Sequence, residues 1–486
     1  MRTLARSIFS GLAALATLVA TPTLAATAVT GSAGGGQAFS NYQPSLVLNQ
    51  LVQAQGVYPC RGCGYGAGAV MGMVRSFGWN FGMAGAPQAQ GQIQSIAQNT
   101  ALFSILGTTY GGDGRTTFAL PNLAGRTPIG VGTGPGLPTV DLGGVYGSET
   151  TTLSLAQLPA HLHGLPTGGT TSVTGGSQPI DNTQPSLGLN YMIQVAGIFP
   201  AQGMQVDGGG GNVVAGTAFL GEIGLFAGNF EPGWMMADGR LLQIAENDAL
   251  FAILGTTYGG DGQTTFALPD LRGRSIVGAG QGPGLGNVQL GQQIGSATTT
   301  LTSAQMPAHD HDLAGGGSTN VAGGSQPLDQ HQPGLGLNYL ISLQGIFPNR
   351  DSGLADEIYL GEVIAFAGTY APKGFAFAAG QLLPINQNQA LFALLGTQFG
   401  GDGIRTFALP DLRGRVMLGS GSGFDVGLRL GTETTTLLEA NLPAHTHTYS
   451  VPDGGVPEPA SWAMMLIGFG MAGGAIRRRA ILAKAA

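Results

Sequence analysis

Apolar residues in this chain come in short bursts between glycine-rich turns, and the bursts recur. Within residues 96–106, Ala101, Leu102, Ile105 and Leu106 return at helical spacing, which predicts one short helix closed by Gly107 in a left-handed conformation. Two later stretches carry the same pattern and end at Gly255 and Gly396. The segments Thr-Thr-Thr-Leu, Thr-Phe-Ala-Leu and Asn-Tyr-x-Ile alternate and favour β-branched and aromatic residues, as strands do. The prediction is a mainly β, loop-rich α+β chain with one short helix per unit.

Repetition sets the larger organisation. The block GQIQSIAQNTALFSILGTTYGGDGRTTFALPNLAGR at 91–126 returns at 239–274 and at 380–415. A second block reads GSETTTL from Gly147, GSATTTL from Gly295 and GTETTTL from Gly431. A third, QPSLGLNYMIQVAGIFP at 184–200 and QPGLGLNYLISLQGIFP at 332–348, has a weaker copy at 43–59, ahead of the first core, and none after the last. This order gives a linker at 26–33 and three units, 34–174, 175–322 and 323–451, expected in a pseudo-threefold arrangement. The early copy is expected to complete the third core. Leu46, Leu48, Leu51 and Val57 would then pack against 359–447 and join the chain ends. The rival is packing on the first core, 70–130.

Each unit ends in Pro-Ala-His-x-His, and six of the seven histidines lie in these pairs. Residues i and i+2 of a strand face one side, so each pair can aim two imidazoles at one point. The candidate metal ligands are His161, His163, His309, His311, His445 and His447. Six nitrogens suit octahedral iron or nickel better than four-coordinate zinc, and a saturated shell is structural rather than catalytic. The alternative is that the pairs line separate surface loops. Asp113, Asp261 and Asp402 in Gly-Gly-Asp-Gly read as turn formers that bond nearby amides. Arg126, Arg274 and Arg415 read as loop anchors paired to a carboxylate or to carbonyls, and Trp234 as a packing residue or a sugar-stacking one.

Composition narrows the classes. The chain has 86 glycines and 9% charged residues, yet 43% hydrophobic residues, enough for packed cores. A net charge of −7 without a basic patch argues against nucleic acid. No Ser-His-Asp set and no recurring carboxylate pair appears, so the reading is non-enzymatic. A glycan-acting enzyme and a metal-buffering protein are the alternatives. Arg2 and Arg6 before an apolar run, with Thr23-Leu24-Ala25, predict a signal peptide over 1–25. Cys60 and Cys63 are an even pair in a secreted chain and are expected to form a loop disulfide.

The segments with GEI, Pro-Gly-Trp, GGDG and LPDLRGR, followed by LPAHxH and NY…GIFP, resemble the phage tail collar domain and its microcystin-dependent-protein group. The first unit departs from the pattern, since GMVRSFGWNFGMAGAPQAQG lacks Pro-x-Gly-Trp. The resemblance implies a role in attachment or assembly. It also implies a metal shell of the kind that trimeric fibre tips build from HxH pairs, carried here by His161, His163, His309, His311, His445 and His447 in a single-chain pseudo-trimer. Residues 452–486, with Val456-Pro457-Glu458-Pro459, the apolar stretch 461–476 and Arg477–Arg479, resemble a PEP-CTERM sorting segment. That implies transient anchoring in the inner membrane of a Gram-negative bacterium, handling by sorting machinery, and release to the cell surface or extracellular matrix. The expected product is a secreted surface or exopolysaccharide-matrix structural or adhesion protein, with polysaccharide as its partner.

Overall fold

Three long strands, Ser45–Val52, Ser186–Ile193 and Gly334–Ser342, arise from the Asn-Tyr blocks, and nearly every residue in them is buried. Strands buried on both faces must pair their polar side chains internally. Accordingly Asn49, Asn190 and Asn338 donate through Nδ2 to the carbonyls of Phe81, Gly228 and Gly368. The fold is a computed structural model that describes residues 26–59, 70–197, 199–200, 219–228, 234–351, 358–421 and 423–451. The predicted signal peptide, Cys60, Cys63 and the C-terminal segment with its apolar stretch lie outside the described residues. Among the described residues no helix is long and apolar enough to cross a membrane.

Each long strand makes two kinds of partner. It runs antiparallel to the strand that follows it in the chain: Ser45–Val52 to Met73–Phe77, Ser186–Ile193 to Glu222–Phe226, and Gly334–Ser342 to Glu362–Phe366. It runs parallel to a short strand of the preceding core: Ser186–Ile193 to Thr127–Gly130, and Gly334–Ser342 to Ser275–Gly278. The first long strand has no preceding core, and it takes the last one, Val416–Gly419. Leu46 stands opposite Met417 and Leu48 opposite Gly419, so the expected contact between 43–59 and the third core is present. The rival contact is present as well, because the same strand pairs with Met73–Phe77. Val57 departs from expectation: it is 48% exposed and bridges Val70.

The same returning pattern appears elsewhere. The strands Met73–Phe77, Glu222–Phe226 and Glu362–Phe366 pair with one another in all three combinations. Gln184 Oε1 accepts from Gln43 N–H, Gln332 Oε1 from Gln184 N–H, and Gln43 Oε1 from Gln332 N–H. Where the short parallel strands meet, backbones approach so closely that only glycine fits: a Cβ on Gly130 would lie 1.9 Å from the Leu271 carbonyl oxygen, and one on Gly278 2.0 Å from that of Leu412.

Residues 26–33, read from the sequence as a linker, are paired. Ala26–Val29 runs antiparallel to Thr448–Val451, with Ala26 opposite Val451. The predicted helix forms in two parts, a 3-10 turn Ile96–Gln98 and an α-helix Thr100–Leu106, and both repeats match it. Leu102, Ile105 and Leu106 are buried while Ala101 faces solvent. Gly107 has φ 55° and ψ −139°, which is a glycine conformation but not the left-handed helical one predicted. The helices Asp248–Leu254 and Gln389–Leu395 pack into one hydrophobic core with Phe266, Phe366 and Phe407, and the first helix packs into a second with Phe118 and Phe226.

Candidate metal centre

Each histidine pair is the outgoing arm of a hairpin. Backbone bonds join His161 to Thr174 and His309 to Ala322, so a return arm runs antiparallel beside each of these two pairs. In the third copy the return arm comes from the start of the chain, through Ala33 opposite His445 and Thr30 bonded to His447.

The outer ring nitrogens are all tied to carbonyl oxygens. Nδ1 of His161, His309 and His445 lies 2.9, 3.0 and 3.0 Å from the carbonyls of Pro159, Pro307 and Pro443. Nδ1 of His163, His311 and His447 reaches Asn320, Gly31 and Ser172, at 2.9, 2.8 and 2.7 Å. A carbonyl only accepts, so in each neutral ring Nδ1 carries the proton and Nε2 presents a lone pair.

The six rings then define a polyhedron. His161 has His163, His309, His445 and His447 as ring neighbours, with centroids 4.9 to 5.3 Å away. Every other ring likewise has four of the remaining five as neighbours. The pairs left over are His161 with His311, His163 with His445, and His309 with His447. Such neighbour relations are the edges of an octahedron, and the leftover pairs are its diagonals.

The nitrogens that point inward lack ordinary partners. Nε2 of His163, His311 and His447 is buried without a hydrogen bond. Nε2 of His445 stands 3.2 Å from Nε2 of both His309 and His161, with no proton for either contact in the tautomer just assigned. Converging lone pairs of this kind are costly unless a cation sits among them. His161, His163, His311, His445 and His447 place one ligand atom each within 4.8 Å of one another, a buried set that can hold a metal ion. His309 belongs with them through its contact to His445. Burial is the first cause that drives the pKa of His161 and of His445 down to about 4, and mutual repulsion among the rings adds to it. His161 and His445 therefore stay neutral near neutral pH, as metal ligands must.

The other sequence candidates do not join this site. Asp113 accepts from the amides of Arg115, Thr116 and Thr117, and Asp261 and Asp402 repeat the turn, so these carboxylates are occupied locally. Arg126 donates to the Asn122 carbonyl. Arg274 and Arg415 are buried, but the carboxylate bridges are made by the earlier arginine of each motif, Arg272 to Asp270 and Arg413 to Asp411. Trp234 packs at the edge of the second core.

One polar cluster was not anticipated. Arg75 grips Glu362 through Nε and Nη2 at 2.7 and 2.5 Å, inside the three mutually paired strands. Glu222 also lies there, and desolvation first, then the Glu362 charge, pushes its pKa up to about 7. The departure of GMVRSF from the GEI pattern was the visible signal: Met73 replaces the glutamate, and an arginine enters two residues later. A cavity of about 480 Å³ between the second and third cores, lined by Asn338, Phe377, Gln381 and Arg413 among others, has no carboxylate in its lining.

Comparison with curated proteins and with solved structures finds no match. Residues 72–128, 221–276 and 361–417 match the Phage Tail Collar Domain, and residues 455–479 match the PEP-CTERM protein-sorting motif. Tail collar domains are structural, and the motif directs sorting to the cell envelope of Gram-negative bacteria. Three collar segments and one sorting motif in a single polypeptide mark it as an exported structural protein.

Proposed function

We propose that the chain is a single-chain pseudo-trimer of three tail-collar units, 34–174, 175–322 and 323–451, locked by one structural transition metal and displayed at the cell surface or in the exopolysaccharide matrix. The observation that carries this reading is the octahedral set of six histidines with Nε2 turned inward. Two nitrogens 3.2 Å apart on one edge imply a centre about 2.3 Å from each vertex, close to the roughly 2.0–2.1 Å of a metal–imidazole bond. Six imidazoles favour iron or nickel over zinc, which prefers four ligands. The cyclic glutamine bonds, and the strand pairing that returns from the third core to the first, support the pseudo-threefold arrangement. A saturated shell leaves no position for substrate, which fits a structural role. Export and the collar units support a role in adhesion to matrix polysaccharide without an enzymatic step. Elemental analysis of the protein purified from its native envelope, with masses for both ends, tests the reading. One iron or nickel per chain, a start near Ala26 and an end near Pro457–Pro459 are expected. Metal-free protein, or released protein that keeps residues 461–476, overturns the metal lock or the sorting step respectively.

A further inference from the structure

The three histidine hairpins are built alike in two cases and differently in the third. In the first, the His163 amide donates to Thr171 Oγ1, eight residues along, and in the second the His311 amide donates to Thr319 Oγ1 at the same distance. In the third, the His447 amide donates to Thr30 Oγ1, from the opposite end of the polypeptide. The residue after each threonine then serves a neighbouring hairpin: the Ser172 carbonyl holds His447, the Asn320 carbonyl holds His163, and the Gly31 carbonyl holds His311. Residues 30–31 therefore touch two of the six histidines without being ligands. One of them fixes His447 in the third pair and the other sets the tautomer of His311 in the second. Ala26–Val29 extends the same arm beside Thr448–Val451, and Gly31 N–H donates to the Asp312 carbonyl.

We propose that residues 26–33 are a clasp whose seating completes the histidine cluster, so that joining the two ends of the chain and binding the metal are one coupled event. The proposal rests on the metal reading above. Without the arm, His311 Nδ1 loses its acceptor and His447 its backbone anchor, so two of six ligands are no longer pre-oriented. With the metal in place, His445 and His447 are fixed, and the strand Thr448–Val451 is held ready for its partner. A second consequence is geometric. Ala26 lies opposite Val451, so the described residues begin and end side by side at the histidine end.

The test uses the full chain in detergent with both terminal segments kept, and nickel(II) as the probe. Proline at position 28, opposite Tyr449, cannot donate to the ladder, and valine at position 30 removes the oxygen that receives the His447 amide. The Ala28→Pro/Thr30→Val variant is expected to bind nickel at least tenfold more weakly, measured by competition with a chelator. In the unaltered chain, adding nickel is expected to slow amide exchange at 26–33 and 446–451 together, and chelation to speed both. Thr171→Val, in a covalently continuous hairpin, is expected to weaken binding less. A clasp variant that binds nickel as tightly as the parent, or exchange at 26–33 that ignores the metal, overturns the coupling while leaving the metal lock standing. A parent chain that binds no nickel and no iron overturns the metal lock and the coupling with it.

Discussion

The histidine cluster and the Arg75 cluster both gather side chains from three repeats, and they treat repetition in opposite ways. At the first, all three copies keep the same residues, and each histidine has the same bond to a carbonyl. At the second, copies two and three keep a glutamate, while copy one offers Met73 and Arg75. The physical reason is charge. Six neutral imidazoles can share one cation, so likeness is an advantage. Three carboxylates drawn into one desolvated space would repel, and a chain with three separate copies is free to change one of them.

The largest expected effect breaks the second cluster. Arg75→Met leaves Glu362 buried beside Glu222 with no counter-charge and should cost about 3–5 kcal/mol of stability. Arg75→Met combined with Glu362→Met should recover much of that loss, since an apolar replacement of a buried ion pair is often neutral. Denaturant unfolding of the two variants checks this, and a double variant as unstable as the single one would show that the pair does more than balance charge.

Metal removal comes next and acts on the first cluster alone. With free metal about a thousandfold above its dissociation constant, chelation should remove roughly 4 kcal/mol, seen as a lower melting temperature. The decrement should be the same in the Arg75→Met background, because distant sites add.

A third effect separates the clusters by pH in metal-free protein. The folded pKa of His161 and His445, about 4, lies below the usual histidine value of 6.5, so the unfolded chain binds more protons between the two. That stability is present above pH 6.5 and is lost as pH falls toward 4. Glu222 is the reverse: its folded pKa of about 7 lies above the ordinary 4.5, so its contribution is present below pH 4.5 and lost as pH rises through 7. Glu222→Gln should raise the melting temperature at pH 8 by a few degrees, about the effect of 1 kcal/mol, and leave the acid limb unchanged. Calorimetry from pH 4 to 8 resolves the two limbs.

The smallest effect probes a place where likeness carries no cooperation. Asp261→Ala removes the acceptor of three exposed amides and should speed hydrogen exchange only at Gln263, Thr264 and Thr265. Asp113 and Asp402 should behave alike in their own copies.

Much of this was legible in the sequence because it is periodic. The short helices, the turn aspartates and the histidine pairs follow from spacing within one copy, and comparing copies was enough to find them. The crossing of the long strands between cores was half legible: the sequence offered the third core and the first, 70–130, as rival partners of 43–59, and the strand takes both. Charge placement was harder. Arg274 and Arg415 read as anchors to a carboxylate or to carbonyls, and the carboxylates Asp270 and Asp411 are held instead by Arg272 and Arg413, two residues along the loop. The strand Ala26–Val29 was hidden for another reason. Its partner lies at the far end of the chain, and four residues, Ala-Thr-Ala-Val, are too few to show a pattern.

That strand gives the molecule a mechanical grain. Ala26 and Val451 are opposite each other at the open end of an antiparallel pair, so a pull that separates the two ends loads the ladder bonds in turn, as a zipper is loaded, rather than all at once. The fastening opens at low force from Val451 back to Thr448, and the next residue to give is His447. Tension along the polypeptide would therefore run through four residues of weak resistance and then arrive at the imidazoles.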